Sequence, residues 1–256
     1  TNNISFADAA YIASLGLDAG DEITLESAGK VELIDAKAND ALSITALAID
    51  GSTLISNNGD VTLNAAQIAD STITAQTGSV SFDGSDLYNL TVTAAADIDG
   101  NAVIGNIVKG SYLAGNDIVF GKAATIASAS FDASNDISLA ASGKVELVDA
   151  KANDDLSITA LAIDGSTLIS NNSDVTLTAA QIVDSTITAQ AGSVLFDAGD
   201  LYNLTVSANA NIDGSGVITG GTGVTGNIVG GSYVAANDIT FDKANAIASA
   251  DFDASD

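Results

Sequence analysis

The sequence predicts an all-β chain wound as a parallel β-helix, a solenoid of about thirteen coils of roughly 19 residues. Three observations carry the prediction. The stretch GKVELIDAKANDALSITALAIDGSTLISNN at 29–58 returns at 143–172, 114 positions later, with two changes, Ile34 to Val148 and Ala41 to Asp155. Inside that long period runs a short one: an apolar-x-apolar motif starts at Ile4, Ile23, Leu42, Val61, Val80, Ile98 and Ile118, in steps of 19, 19, 19, 19, 18 and 20. Asn and Asp pairs, among them Asn57-Asn58, Asp50-Gly51 and Asp99-Gly100, punctuate these motifs as turns.

The chain divides into a first repeat, 2–115, of six coils, and a second, 116–236, of six coils and a seven-residue insertion near 215–226. A third repeat begins at 237–256. The insertion turns NAVIGNIV into SGVITGGTGVTGNIV, a Gly- and Thr-rich growth expected to form a loop at one corner. Within a coil, alternation marks short strands with one buried face, as in VTL (61–63), an inward Ile68, and TIT (72–74). The residue two places after each motif start is also apolar, as in Phe6, Leu25, Ile44, Leu63 and Phe82. Gly100 and Gly214 are the exceptions. A single coil cannot bury its own apolar side chains, but stacked coils can. The alternative is a tandem array of immunoglobulin-like β-sandwiches of about 114 residues. A sandwich has no reason to keep a 19-residue grid, and the Trp or Cys pair that would favour one is absent.

Composition narrows the function. The net charge is −26, with 33 acidic residues against seven Lys and no Arg, which excludes nucleic acid as a partner and disfavours an anionic membrane. No apolar run is long enough to span a bilayer, so no membrane insertion is expected. The chain has no Cys, Met, Trp, Pro or His. Lack of Cys together with acidic, Thr- and Asn-rich repeats suits a protein outside the cell.

The search for chemistry assigns no catalytic, cofactor-binding or metal-ligating residue. Without His, Arg or Cys there is no obvious base, anion clamp or activated nucleophile, so an enzyme is not expected. Asp21, Asp40, Asp60, Asp117, Asp136 and Asp174 recur at coil corners, and calcium takes such oxygen ligands. No calcium motif is present, and turn capping by Asn and Asp is the simpler reading of these residues. Thr72/Thr74 and Thr91/Thr93 resemble the Thr-x-Thr rows of a flat ice-binding face, but the sequence does not repeat them in every coil. Lys30, Lys37, Lys144 and Lys151 read as solubility and edge devices. Tyr11, Tyr88, Tyr112, Tyr202 and Tyr233 read as core or rim.

The units NDISLAASGKVELVDAKA (135–152) and NSDVTLTAAQIVDSTITAQA (172–191) resemble the haemagglutinin-type repeats of large secreted bacterial adhesins, such as filamentous haemagglutinin and related two-partner-secretion exoproteins. The resemblance covers the whole chain and is poorest at 98–115 and 212–236. It implies a right-handed β-helix, export, and a stalk that presents adhesive parts elsewhere. The expected role is a structural segment of a long, secreted bacterial cell-surface adhesin or fibre. Expected partners are further copies, through end-to-end stacking or neighbouring repeats, and surface polysaccharide. The alternative is a polysaccharide-binding or polysaccharide-degrading β-helix.

Overall fold

Ile23 pairs with Leu42, Leu42 with Val61, and Val61 with Val80, each time in parallel. The 19-residue steps of the sequence are thus ladder partners on successive coils. The computed structural model describes residues 2–218 and 220–255, with Ser85 described by its backbone alone. Among these residues there are 27 strands and no helix. They fall into two compact units, residues 1–125 and 126–256. Each unit is a parallel β-solenoid, and the chain holds about 13 coils in all. Tandem sandwiches, which are built from antiparallel pairs, are excluded by this pairing.

One coil shows how the sequence turns its corners. Strand Val61–Ala69 buries Val61, Leu63, Ala65 and Ile68, leaving Ala66 and Gln67 outward in succession. Strict alternation would bury every second residue. Two outward residues in a row bend the strand onto a second face without ending it. The next corner is left-handed: Gly51, Asp70, Asn89 and Lys109 stack there with φ of 60°, 47°, 50° and 58°. The second unit repeats it with Gly165, Asp184, Asn203 and Gly230. Gly, Asn and Asp accept this conformation at least cost. Asn89 Nδ2 donates to Asp70 Oδ1 at 2.7 Å, tying the corner between coils.

Just past that corner, Ser52 and Ser71 are buried. The Ser52 hydroxyl accepts from Leu33 N at 3.0 Å, and the Ser71 hydroxyl accepts from Ser52 N at 3.1 Å. Each serine donates to a carbonyl on its own coil, of Asp50 and Ala69 respectively. Ser166 and Ser185 repeat the arrangement in the second unit. The turn interrupts the backbone ladder, and the hydroxyls satisfy amides that would otherwise be buried without partners.

The third face closes each coil. Strand Thr72–Ala75 buries Ile73 and Ala75 and turns Thr72 and Thr74 outward. Large side chains stack between coils: in the core Tyr112 packs edge-on to Phe120 at 5.6 Å, and buried Tyr233 stacks on the exposed Phe252 at 5.0 Å. The two glycines that break the apolar motif make room for such rings. A Cβ on Gly100 would overlap the ring of Phe120, and one on Gly214 would lie 2.5 Å from Phe241 Cδ1.

The insertion keeps the coil around it in place. In the first copy Val103 is buried, and its N–H closes on Gly100 O at 2.9 Å. In the second copy Val224 is buried, and its N–H closes on Gly214 O at 2.7 Å. Val217, the other valine on offer, is exposed. The extra residues therefore sit between Gly214 and Val224. Thr222 and Gly223 fasten the end of this segment to Asp197, whose Oδ1 accepts from Thr222 N at 2.8 Å, Thr222 Oγ1 at 3.2 Å and Gly223 N at 3.1 Å.

Candidate functional site

The stacked coils turn every outward residue into part of a column, so candidate sites are columns and faces. The six corner aspartates of the sequence do not form one column. Asp60, Asp117, Asp136 and Asp174 directly precede the first strand of their coils, whereas Asp21 and Asp40 stand one place earlier. The register that matters here is −1 against −2 from the strand, and alternation alone does not reveal it. In the second unit three consecutive coils place Asp136, Asp155 and Asp174 one above another. Asp136 Oδ1 accepts from Asp155 N at 2.8 Å, Asp155 Oδ1 from Asp174 N at 3.4 Å, and Asp174 Oδ1 from Ser193 N at 2.7 Å. Each carboxylate thus caps the amide of the coil that follows. Asp155 also accepts from the Ser173 hydroxyl. Its counterpart in the first copy is Ala41, one of the two changes in the 30-residue block. Among the described residues no group of three or more His, Cys, Asp or Glu is arranged to hold a metal ion.

The lysines divide into two kinds. Lys30 contacts Glu32 at 3.1 Å and Asp50 at 2.7 Å, and Lys144 contacts Glu146 and Asp164, each at 2.7 Å. Hydrogen bonding to Asp50 and then to Glu32 raises the Lys30 pKa above the ordinary lysine range, and Asp164 and Glu146 do the same for Lys144. A slip in the coil sets up this clasp: Lys30 pairs with Ala48, 18 residues on, although the same coil pairs Ile23 with Leu42 at 19. The Nζ then reaches the carboxylate two residues beyond Ala48. These ties lie on the surface, where ion pairs contribute little. Lys37 and Lys151 stand exposed on the third face.

Tyrosines also divide. Tyr112 and Tyr233 are buried core residues, and burial raises both hydroxyl pKa values above the ordinary range. Tyr11 is exposed, and Tyr88 and Tyr202 are half-buried on the second face.

The Thr-x-Thr pairs lie in a longer array than the sequence conveys. Thr53, Thr72, Thr91 and Ser111 are ladder partners, and so are Ile55, Thr74, Thr93 and Leu113. All eight face outward on four consecutive coils. The second unit repeats the array with Thr167, Thr186, Thr205 and Ser232 beside Ile169, Thr188, Ser207 and Val234. None of these sixteen residues carries a charge, in a chain with 33 acidic residues. Charge resumes at once beyond each array: Lys37 pairs with Ile55, Lys151 with Ile169, and Asp253 with Val234. An open depression of about 410 Å³ beside the second array is lined by Thr188, Gln190, Ser207 and Asn209, with no ionisable side chain.

Among the described residues the structure thus offers capping columns, surface ion clasps and two neutral arrays. Comparison with family models, with curated proteins and with solved structures finds no match for this chain.

Proposed function

We propose that this chain is a structural repeat segment of a long, secreted bacterial cell-surface adhesin or fibre, acting as a stiff spacer. The observation that carries the reading is the duplication of 114 residues as whole coils, with equivalent residues in equivalent register. A solenoid gains length by adding coils, because each coil contacts only its neighbours. Duplicating a whole number of coils therefore lengthens such a protein without a new core or a new linker. The parallel ladders and buried polar ties between coils resist bending, and the charge of −26 keeps neighbouring chains apart in solution. Self-association through stacked repeats, cell-surface placement and adhesion belong to the same reading. They are supported by the resemblance to haemagglutinin-type repeats.

The test is a length series. Chains with one, two and three copies of residues 2–115 should lengthen by roughly 29 Å per copy in negative-stain images, six coils at about 4.8 Å each. Antibody against the chain should also label intact source cells. Particles that grow in all directions with copy number, or label found only after lysis, would contradict the proposal.

A further inference from the structure

We propose that the two neutral arrays are ice-binding faces, with the ordered oxygen lattice of solid water as their ligand. The proposal is independent of the adhesin reading. It rests on the register of Thr53, Thr72, Thr91 and Ser111 beside Ile55, Thr74, Thr93 and Leu113, and on the repetition of that array in the second unit.

Strand geometry makes each array a grid. Neighbouring coils set outward groups about 4.8 Å apart in one direction, and residues i and i+2 stand about 7 Å apart in the other. Oxygen rows on the prism planes of hexagonal ice repeat at closely similar intervals. The chemistry of the grid suits that ligand. A Thr hydroxyl holds a water by hydrogen bonding, and its methyl group orders the waters around it. Ile55, Leu113, Ile169 and Val234 supply the apolar share where Thr is missing. β-Branched side chains are stiff at χ1, so a threonine row is held in place before any ligand arrives.

Charge argues the same way. An ionised side chain keeps a tight hydration shell that does not fit the lattice, and the arrays hold none across four coils each. The two copies differ within the arrays only by Thr93 to Ser207 and Leu113 to Val234, changes that add no charge. No aromatic ring is present in either array, which removes the usual platform for stacking a sugar. A flat, neutral, two-dimensionally periodic ligand remains.

The experiment measures thermal hysteresis and ice-crystal shape for the whole chain. One variant carries T72K, T91K, T186K and T205K, and a control carries T62K and T176K on the first face. The wild type and the control should separate freezing from melting and grow faceted crystals. The four-lysine variant should lose both effects while keeping its circular dichroism and melting temperature. Fluorescently labelled wild-type chain should also adsorb to defined planes of a single ice crystal, a reading that needs no variant. A folded wild type with no hysteresis, faceting or adsorption would overturn the proposal. Equal activity in the two lysine variants would overturn it too. If the wild type self-associates and the four-lysine variant is a monomer with unchanged ice behaviour, the arrays bind a second copy of the chain, and the proposal fails.

Discussion

Phe120 occupies the space that a Cβ on Gly100 would need. The glycine belongs to the coil that breaks the apolar motif, and the ring belongs to the coil that follows, so one residue is small because its neighbour on the next coil is large. Gly100→Ala forces the ring or the backbone to move, and overpacking of this kind costs about 1–3 kcal/mol. Phe120→Leu leaves room for the new methyl. The double variant G100A/F120L should therefore lose less stability than the sum of the two single changes, measured by urea denaturation. Strict additivity would mean that the two residues do not share this space.

The insertion should be dispensable as long as Val224 stays. Deleting 215–221 leaves Gly214-Thr222-Gly223-Val224, which matches Gly100-Asn101-Ala102-Val103 in length. The expected change is within about 1 kcal/mol, because loop length costs little. Val224→Asp buries an unpaired carboxylate and should cost several kcal/mol. If the deletion costs as much as the Asp substitution, residues 215–221 carry packing that the neighbouring coils need.

High pH should unfold the protein through its buried tyrosines. Burial raises the pKa of Tyr112 and Tyr233 in the folded state, whereas in the unfolded chain they ionise at about 10. Above that pH the unfolded state has released protons that the folded state still holds, so stability falls as pH rises. Lys30 and Lys144 act in the same direction. Their raised pKa values give stability that is present below the ordinary lysine pKa and is lost as pH rises through the folded value, a small effect for exposed groups. Urea midpoints should hold steady from neutral pH to about 9 and then drop. The variant Y112F/Y233F should drop less steeply. An unchanged slope would show that other groups govern alkaline unfolding.

The 19-residue grid was legible in the sequence because solenoid coils must match in length wherever they share ladders. The spacing of Ile23, Leu42, Val61 and Val80 alone puts them on one buried column. Gly100 and Gly214 were visible as exceptions, but the reason lay about 20 or more residues away, in Phe120 and Phe241. The bend at Ala66 and Gln67 carries no turn residue and could not be read from turn chemistry. The split of Asp21 and Asp40 from Asp60 depends on a one-residue offset from the strand start. The neutral arrays escaped because Ile55 and Leu113 look like interruptions of a Thr pattern until the register sets them in line with Thr74 and Thr93.

The central claim is that residues 19 apart face each other on neighbouring parallel coils, and paired cysteines test it directly because the native chain has none. Ser157 and Thr176 are ladder partners on the outer surface of the second unit, while Ser157 and Thr178 are offset along the strand. Parallel neighbours at about 4.8 Å fall within the Cα separation that a disulfide can span, and the offset pair lies beyond it. Under mild oxidation S157C/T176C should form an intramolecular disulfide quickly and completely, and S157C/T178C should not. Slow or absent bonding in the first pair, with efficient bonding in the second, would contradict the coil register on which the whole account rests.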